Sequence, residues 1–171
     1  MQKKGISNSS NQEYVAADKK TNNLQQLPLI MGGIRPFHLA FPVTDIPKTR
    51  EWYQEVLGCE IGRESDIWID FNLFGHQIVA HLVEKMEIPE SSAVDGKNVP
   101  AMHFGVILEW NQWHKLAERL KKSGIKFVID PYIRYKGKPG EQATMFFKDP
   151  SGNHLEFKSF QSDEGIFAKE E

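Results

Sequence analysis

The stretch DPSGNHLEFKSF, residues 149–160, is the strongest single clue to the architecture of this chain. Asp, Pro, Ser and Gly are turn-forming residues, and the residues that follow Gly152 have the composition of a β-strand. Because strand side chains alternate between two faces, Leu155 and Phe157 predict a buried face. Glu156 then belongs to the opposite face, which meets either solvent or a site.

The same plan occurs twice along the chain. Residues 37–43, FHLAFPV, and residues 102–108, MHFGVIL, are short β-type runs with histidine in the second position. Each run leads into an amphipathic helix that stops at a glycine, Gly58 or Gly124, and then into three further strand-like runs. A lone unit of this kind would leave one sheet face uncovered. The pattern predicts an α+β fold in which two βαβββ modules join into a curved, cup-shaped mixed sheet with the helices outside.

Polar segments flank the predicted domain. The N-terminal segment is rich in Asn, Gln, Ser and Lys, which predicts a disordered tail because few apolar side chains offset the entropy of ordering. The predicted boundaries are a tail at 1–30, one domain at 34–160 with module one at 34–84, a linker at 85–100 and module two at 101–160, and a C-terminal tail at 161–171.

Composition narrows the classes of function. The 171 residues are 40% hydrophobic and 26% charged, which is typical of a soluble domain, and a net charge of -2 gives no reason to expect nucleic acid or an acidic membrane as partner. No apolar run approaches the roughly 20 residues that cross a bilayer. Cys59 is the single cysteine, which excludes an intramolecular disulfide and favours a cytoplasmic location. We expect it to be a packed hydrophobe rather than a nucleophile.

Three chemically related side chains fall on the face opposite the predicted core. Strand alternation groups His38 with Ala40 on the first strand and His103 with Gly105 on the strand that opens module two. Glu156 lies on the corresponding face of the last strand, opposite the predicted core. Two imidazoles and a carboxylate are the donor set of a facial two-His-one-carboxylate metal site. The alternative is a solvated polar face, which is commoner for an arbitrary strand.

These residues resemble the motifs of the vicinal oxygen chelate superfamily, which includes glyoxalases, extradiol dioxygenases and bleomycin resistance proteins. The resemblance covers about residues 35–160 and is most specific in FKDPSGNHLEFK. It implies paired βαβββ modules and a divalent metal bound by residues of the first and last strands of the modules. Carried over by position, the implied metal ligands are His38, His103 and Glu156.

The fourth position of the family pattern falls on Val79, which lies four residues after Gly75 as Glu156 lies four after Gly152. Valine cannot bind a metal. The resemblance associates four protein ligands with glyoxalase I and three with extradiol dioxygenases, whose open positions admit substrate oxygens and dioxygen. It therefore favours a dioxygenase-like oxidoreductase with non-haem Fe(II), although Mn(II), Ni(II) or Zn(II) suit the same residues.

Further side chains are predicted to line the site. Gln77 and His81 share the face of Val79, and His81 is a candidate catalytic proton shuttle because the pKa of histidine is close to neutrality. A position at the rim is an equal alternative for His81. The predicted substrate-binding residues are Gln77, Val79, Arg134, Tyr135 and Lys158, with a solvated loop as the alternative for Arg134 and Tyr135.

Two other functions remain open from the sequence. One is a glyoxalase-type lyase or isomerase that uses Ni(II) or Zn(II) to stabilise an enediolate. The other is a non-catalytic protein that binds an antibiotic or metabolite. In each case the expected partner is a small molecule that chelates through adjacent oxygens or fills the same cup. One chain holds both modules, so a monomer and a homodimer are both compatible with the sequence.

Overall fold

The computed structural model describes residues 35–87, 91–94, 97–138 and 140–169. Every helix and strand discussed below belongs to one compact unit, Pro36–Glu171. The predicted N-terminal tail lies outside the described residues. Within the described ranges, no helix combines the length and the hydropathy that a membrane span requires.

Module one is a four-stranded sheet with one helix against it. Its elements are β1 (His38–Val43), α1 (Ile46–Trp52), β2 (Glu60–Glu64), β3 (Trp68–Leu73) and β4 (His76–Leu82). The strands are ordered β1-β4-β3-β2, and β1 runs parallel to β4. The Asp45 side chain caps α1, which continues as a π-helical segment over Tyr53–Leu57 and ends at Gly58 with a left-handed φ of 75°.

The predicted linker and module two contain the remaining elements. An antiparallel hairpin, β5 (Ser91–Val94) and β6 (Lys97–Pro100), lies within the predicted linker. Module two contains α2 (Trp110–Lys122), β7 (Phe127–Arg134), β8 (Gln142–Lys148) and β9 (His154–Phe160), with the strands in the order β7-β8-β9. Part of the predicted C-terminal tail forms a 3-10 helix, Asp163–Phe167.

The predicted strand at residues 102–108 is irregular. It pairs with β9 through two isolated parallel bridges, Phe104 to Leu155 and Ile107 to Lys158, whose backbone hydrogen bonds flank a gap at Gly105. The segment nevertheless lies beside β9 as β1 lies beside β4, so both modules follow the βαβββ plan. The predicted α+β class with two such modules is confirmed.

The irregularity has a steric cause at Gly105. A Cβ atom built on this residue would collide with the backbone carbonyl oxygen of Glu156. The two backbones therefore approach more closely than any side chain at position 105 allows, and only glycine tolerates the approach. This contact interrupts the ladder of hydrogen bonds between the segment and β9 opposite Glu156.

The two sheets share one hydrophobic core. The ring of Tyr53 stacks on Phe71 of β3 with centroids 4.7 Å apart, and Trp52 meets Phe147 of β8 at 6.1 Å. The end of α1 and the residue after it thus contact strands of both modules. Among the described residues, no ladder of hydrogen bonds joins the two sheets into one continuous cup, and the modules are held together through this core instead.

Cys59 lies directly after the Gly58 stop and is buried among core side chains. Burial raises the pKa of its thiol to about 12. The thiolate that would act as a nucleophile is therefore scarce at neutral pH, in agreement with the structural role predicted from the sequence.

Substitution of Gly105 by alanine tests the close approach. We expect Gly105→Ala to lower the free energy of unfolding by about 1–3 kcal/mol, because the backbone under Glu156 must shift. Ala40 occupies the matching position of module one, and Ala40→Gly is the control, with an expected cost of about 0.5–1 kcal/mol. Urea denaturation measures both variants, and a Gly105→Ala protein as stable as wild type would contradict the steric account.

Candidate metal centre

One buried carboxylate organises the turn from which β9 starts. Oδ1 of Asp149 accepts hydrogen bonds from the backbone N–H groups of Ser151 and Asn153, both at 2.9 Å. Oδ2 accepts from the Asn153 side chain at 2.8 Å and from the Tyr53 hydroxyl at 3.3 Å. Gly152 completes the turn with a φ of 93°, which other residues rarely adopt. Burial raises the pKa of Asp149, although these hydrogen bonds oppose the shift.

The same turn is bonded to module one. The Asn153 side chain donates to the carbonyl oxygen of Pro42 at 2.8 Å, at the end of β1. The backbone N–H of Thr44 donates to the Ser151 hydroxyl at 3.0 Å. The start of β9 is thus tied to β1 and, through Tyr53, to the segment that continues α1, so the position of Glu156 depends on both modules.

Glu156 lies on the opposite face of β9 from the core. Leu155 and Phe157 are fully buried members of the hydrophobic core, as the alternation of the strand predicts. Glu156 is also buried, with only 8% of its surface exposed. A solvated polar face is therefore excluded for this residue, and its carboxylate needs polar partners inside the protein.

Three side chains supply those partners. Oε2 of Glu156 lies 3.0 Å from Nε2 of His103. Oε1 accepts a hydrogen bond from the Thr144 hydroxyl at 2.7 Å and lies 3.4 Å from the ammonium of Lys158. The carboxylate is thus held on one oxygen by Thr144 and Lys158 and presents the other oxygen to His103.

The contacts shift the pKa values of this pair in opposite directions. Burial alone would raise the pKa of Glu156, but hydrogen bonds with His103 and Thr144 and the charge of Lys158 outweigh burial and lower it. The hydrogen bond with Glu156 raises the pKa of His103, against the effect of burial. In the metal-free protein the two side chains therefore favour the ionised pair.

Both predicted histidine ligands present Nε2. Nδ1 of His103 lies 2.7 Å from the Pro100 carbonyl oxygen, which can only accept, so Nδ1 carries a proton. Nδ1 of His38 lies 2.9 Å from Oε1 of Gln77, whose Nε2 in turn donates to Asp70 at 3.4 Å. A neutral ring protonated at Nδ1 has a free electron pair on Nε2, which is the state a metal ligand requires.

One chain assembles only part of the predicted ligand set. His103 and Glu156 are in contact, whereas His38 belongs to the sheet of module one and pairs with Gln77. In the part of the chain that the structure describes, no group of three or more His, Cys, Asp or Glu side chains is placed to hold a metal ion. The set of His38, His103 and Glu156 stays a prediction, of which a single chain brings two members together.

The spacing of those two members fits a shared cation. Bonds from a divalent metal to histidine nitrogen or carboxylate oxygen are about 2.0–2.2 Å long, so two ligands at the right angles of a six-coordinate facial site are about 3 Å apart. The Nε2–Oε2 distance is 3.0 Å. The same distance is an ordinary charge-assisted hydrogen bond, which the metal-free pair forms. Replacement of the shared proton by a cation requires little movement of either side chain.

The remaining predicted residues of module one lie on the face that carries His38. Val79 is buried and lies between Ala40 of β1 and Asp70 of β3 in the register of the sheet. Gln77 contacts His38 directly, and its role in substrate binding stays a prediction. His81 is exposed opposite Pro42, and its catalytic role stays a prediction.

Sequence reasoning missed two polar residues of the site. Asp70 is buried in the middle of β3, where it orients Gln77 and pairs with Arg63 at 3.3 Å. A carboxylate inside the apolar run DIWIDFNL was a visible signal for it. Thr144 had no such signal, because only the pairing of β8 with β9 brings its hydroxyl to Glu156.

Two cavities lie beside this site, one lined by His103 and the other by Lys158, which contacts Glu156. The larger, about 900 Å³ in volume, has mainly apolar walls and is lined by His103 and His154 together with Leu39, Phe41, Met86, Met102 and Phe104. Burial lowers the pKa of His154, as do the nearby Lys148 and His103. A smaller cavity of about 230 Å³ is lined by Tyr135 and Lys158. The guanidinium of Arg134 lies over the Tyr135 ring at 4.7 Å and donates to its hydroxyl at 2.8 Å.

Comparison with known proteins gives consistent results. The family profile described as Glyoxalase/Bleomycin resistance protein/Dioxygenase superfamily matches residues 35–157. A glyoxalase/bleomycin resistance protein/dioxygenase from Alicyclobacillus acidocaldarius is 32% identical over 77% of this chain and 96% of that chain, with a TM-score of 0.67. The fosfomycin resistance protein FosX from Listeria monocytogenes is 17% identical over 80% of this chain and all of its own, with a TM-score of 0.57. Lactoylglutathione lyase from Agrobacterium tumefaciens is 14% identical over 81% and 98%, with a TM-score of 0.55. The likeness to the last two is a likeness of fold.

The ion pair can be tested by titration of the metal-free protein. We expect His103 to titrate above its usual pKa of 6.5 and to move back towards that value in Glu156→Gln, because the carboxylate stabilises the imidazolium. The contribution of the His103–Glu156 ion pair to the free energy of unfolding is therefore complete below pH 6.5 and is lost as the pH rises through the raised pKa of His103. NMR of the histidine Cε1–H resonances measures the titration. Glu64→Gln, in module one, is the control, and an unchanged His103 titration in Glu156→Gln would contradict the pairing.

Proposed function

The chain belongs to the Glyoxalase/Bleomycin resistance protein/Dioxygenase superfamily, and we propose that it is a metal-dependent enzyme whose small-molecule substrate chelates the metal through two adjacent oxygens. Members of this family generally use a divalent metal. The observation that carries the proposal is the contact of His103 with Glu156, at a spacing suited to neighbouring ligands of one cation. The donors are those of a facial two-His-one-carboxylate site once His38 joins them.

The proposed third ligand, His38, comes from a second copy of the chain. Within one chain His38 lies in a different sheet from Glu156. It is exposed, its Nε2 is free for a metal, and β1 is an edge strand of its sheet. The segment that carries His103 is likewise at the edge of the sheet of module two, beyond β9. Two edges of this kind in neighbouring copies can meet, so a homodimer would form two identical centres.

The side chains around the proposed centre have separate tasks. The Pro100 carbonyl holds Nδ1 of His103, and Gln77 holds Nδ1 of His38, so that Nε2 of each ring is left for the metal. Thr144 holds one carboxylate oxygen of Glu156. Val79 supplies no ligand, so the position that a fourth protein ligand would take stays open to substrate. A bound divalent metal would supply Lewis acidity and, as Fe(II), a place where substrate and dioxygen meet.

The finer proposal is a dioxygenase-like oxidoreductase that uses Fe(II). Its support is the apolar side chain of Val79, which leaves three protein ligands rather than four. Glyoxalase-type lyase chemistry needs a base beside the metal. Gln77 is neutral, and its amide oxygen is committed to His38. His81 remains the candidate for proton transfer at an exposed position on the same face.

Complementation between inactive variants tests the shared centre. We expect His38→Ala and His103→Ala each to lose most of the bound metal, because each lacks one ligand in both centres. Mixed after unfolding and refolding together, the two variants should regain about a quarter of the wild-type metal content, since half of the dimers are mixed and each has one intact centre. Elemental analysis measures the metal. The double variant His38→Ala/His103→Ala should regain none, and a mixture of stable dimers without recovery would contradict a centre shared in this way.

Loading with iron tests the reaction. We expect anaerobically Fe(II)-loaded protein, given a panel of catechols and then oxygen, to produce ring-cleavage absorbance with at least one member. Val79→Glu should bind the metal at least as tightly and lose the oxygen-dependent activity, because the new carboxylate is a fourth protein ligand and occupies a position that substrate or dioxygen needs. Val79→Leu is the control for the change in size. Silent oxygen assays together with turnover of the methylglyoxal–glutathione adduct would assign the lyase function instead, and ligand binding that survives a chelator would indicate a binding protein.

A further inference from the structure

The small cavity beside Lys158 is cationic. Its walls come from β8, β9, the turn after β7 and the C-terminal 3-10 helix region, and include Tyr135, Gln142, Lys158, Phe160, Ile166 and Lys169. Two of its lining residues are lysines, and none is acidic. The cavity was not expected from the sequence, because Lys169 belongs to the segment that composition predicts as a frayed tail.

Lys158 connects this cavity to the proposed metal centre. Its ammonium is 3.4 Å from Oε1 of Glu156, and its side chain also lines the cavity. An ammonium has three N–H donors, so the contact with Glu156 leaves donors for a second acceptor. One side chain therefore contacts a proposed metal ligand and remains available to a group bound in the cavity.

The balance of charge favours an anion as that group. Glu156 carries one negative charge, which Lys158 already balances, and imidazole ligands of a metal are neutral. The charge of a divalent cation beside Glu156 would then have no protein carboxylate left to compensate it. Buried charge is costly without a partner, so a substrate that is itself negatively charged binds here most favourably.

Gln142 supplies a further polar group in the cavity wall. Its Oε1 atom is buried and has no hydrogen-bond partner among the described residues. Such a group costs free energy until a ligand pairs with it, and an amide can turn either its oxygen or its nitrogen towards a ligand. Phe160 and Ile166 provide apolar wall beside it, which suits a short run of methylene groups.

The size of the cavity limits what it can hold. Pockets that enclose a complete drug-sized ligand measure about 300–1,000 Å³. At about 230 Å³ this cavity is smaller and suits a side arm of a few heavy atoms. The larger cavity of about 900 Å³, on the His103 side, has the volume for the rest of a molecule.

We propose that the substrate carries a short carboxylate arm and that this arm binds in the cavity lined by Lys158, Lys169 and Gln142. The inference rests on the proposed function and names the substrate class for the same centre: an anionic molecule with adjacent oxygens at one end and a carboxylate on a short chain at the other. Lys158 acts as a specificity-determining residue, because it contacts both Glu156 and the arm.

Calorimetric binding to Zn(II)-loaded protein tests the arm without turnover. The probes are catechol, dihydrocaffeate with a carboxylate arm, and dopamine with an ammonium arm of similar length. We expect wild-type protein to bind dihydrocaffeate about tenfold more tightly than dopamine, because the lysines attract one arm and repel the other. Lys169→Met should lower the affinity for dihydrocaffeate about three- to fivefold and leave that for catechol unchanged. Lys169→Glu should reduce the preference for dihydrocaffeate over dopamine further, because the new carboxylate attracts the ammonium arm of dopamine.

Lys122→Met is the matched control, because Lys122 is exposed at the end of α2 and lines neither cavity. Equal affinities of the wild-type protein for dihydrocaffeate and dopamine would overturn the inference, as would equal losses of dihydrocaffeate affinity in Lys169→Met and Lys122→Met. Zn(II) binding is titrated first. Protein that binds Zn(II) and catechol but has the same affinity for the carboxylate and ammonium arms would overturn the inference and leave the proposed function unaffected. Protein that binds no Zn(II) would contradict both the proposed function and the inference.

Discussion

The carboxylate of Asp149 is the group on which the rest of the structure depends. It gathers hydrogen bonds from its own turn and from Tyr53, which lies in the other module. A buried carboxylate without such donors would be strongly unfavourable, so the turn and the approach of Tyr53 are enforced together. The start of β9 is thereby placed against β1, and two modules that share no hydrogen-bonded ladder among the described residues become one body.

The geometry at Glu156 follows from that placement. β9 brings Leu155 and Phe157 into the core and turns Glu156 to the other face, while the missing side chain at Gly105 lets the neighbouring backbone approach Glu156 closely. His103 arrives on the same backbone segment, two residues earlier. Glycine normally destabilises a strand, but at position 105 it allows the close backbone approach that brings the His103 imidazole to the Glu156 carboxylate.

Much of the fold could be predicted from the sequence because its signals are local. The doubled pattern of strand, helix and glycine stop identified both modules, and alternation along β9 assigned the faces of Leu155 and Glu156. The irregular segment at 102–108 could not be predicted, because its cause is a backbone in β9 about fifty residues away. The hairpin in the linker and the 3-10 helix after β9 were missed for the related reason that polar composition does not show which segments pack on a neighbour.

Local composition and periodicity were sufficient for the class of fold and the βαβββ repeat, since each depends on side chains a few positions apart. They also placed His38, His103 and Glu156 on faces opposite the predicted core, where the family resemblance makes them candidate metal ligands. Tertiary packing alone established which of these residues meet. It brings Glu156 to His103, Thr144 and Lys158 and keeps His38 in the other sheet with Gln77 and Asp70. The reason is physical: distances between strands far apart in the chain depend on register, core packing and the turn at Asp149, and no short stretch of sequence contains that information.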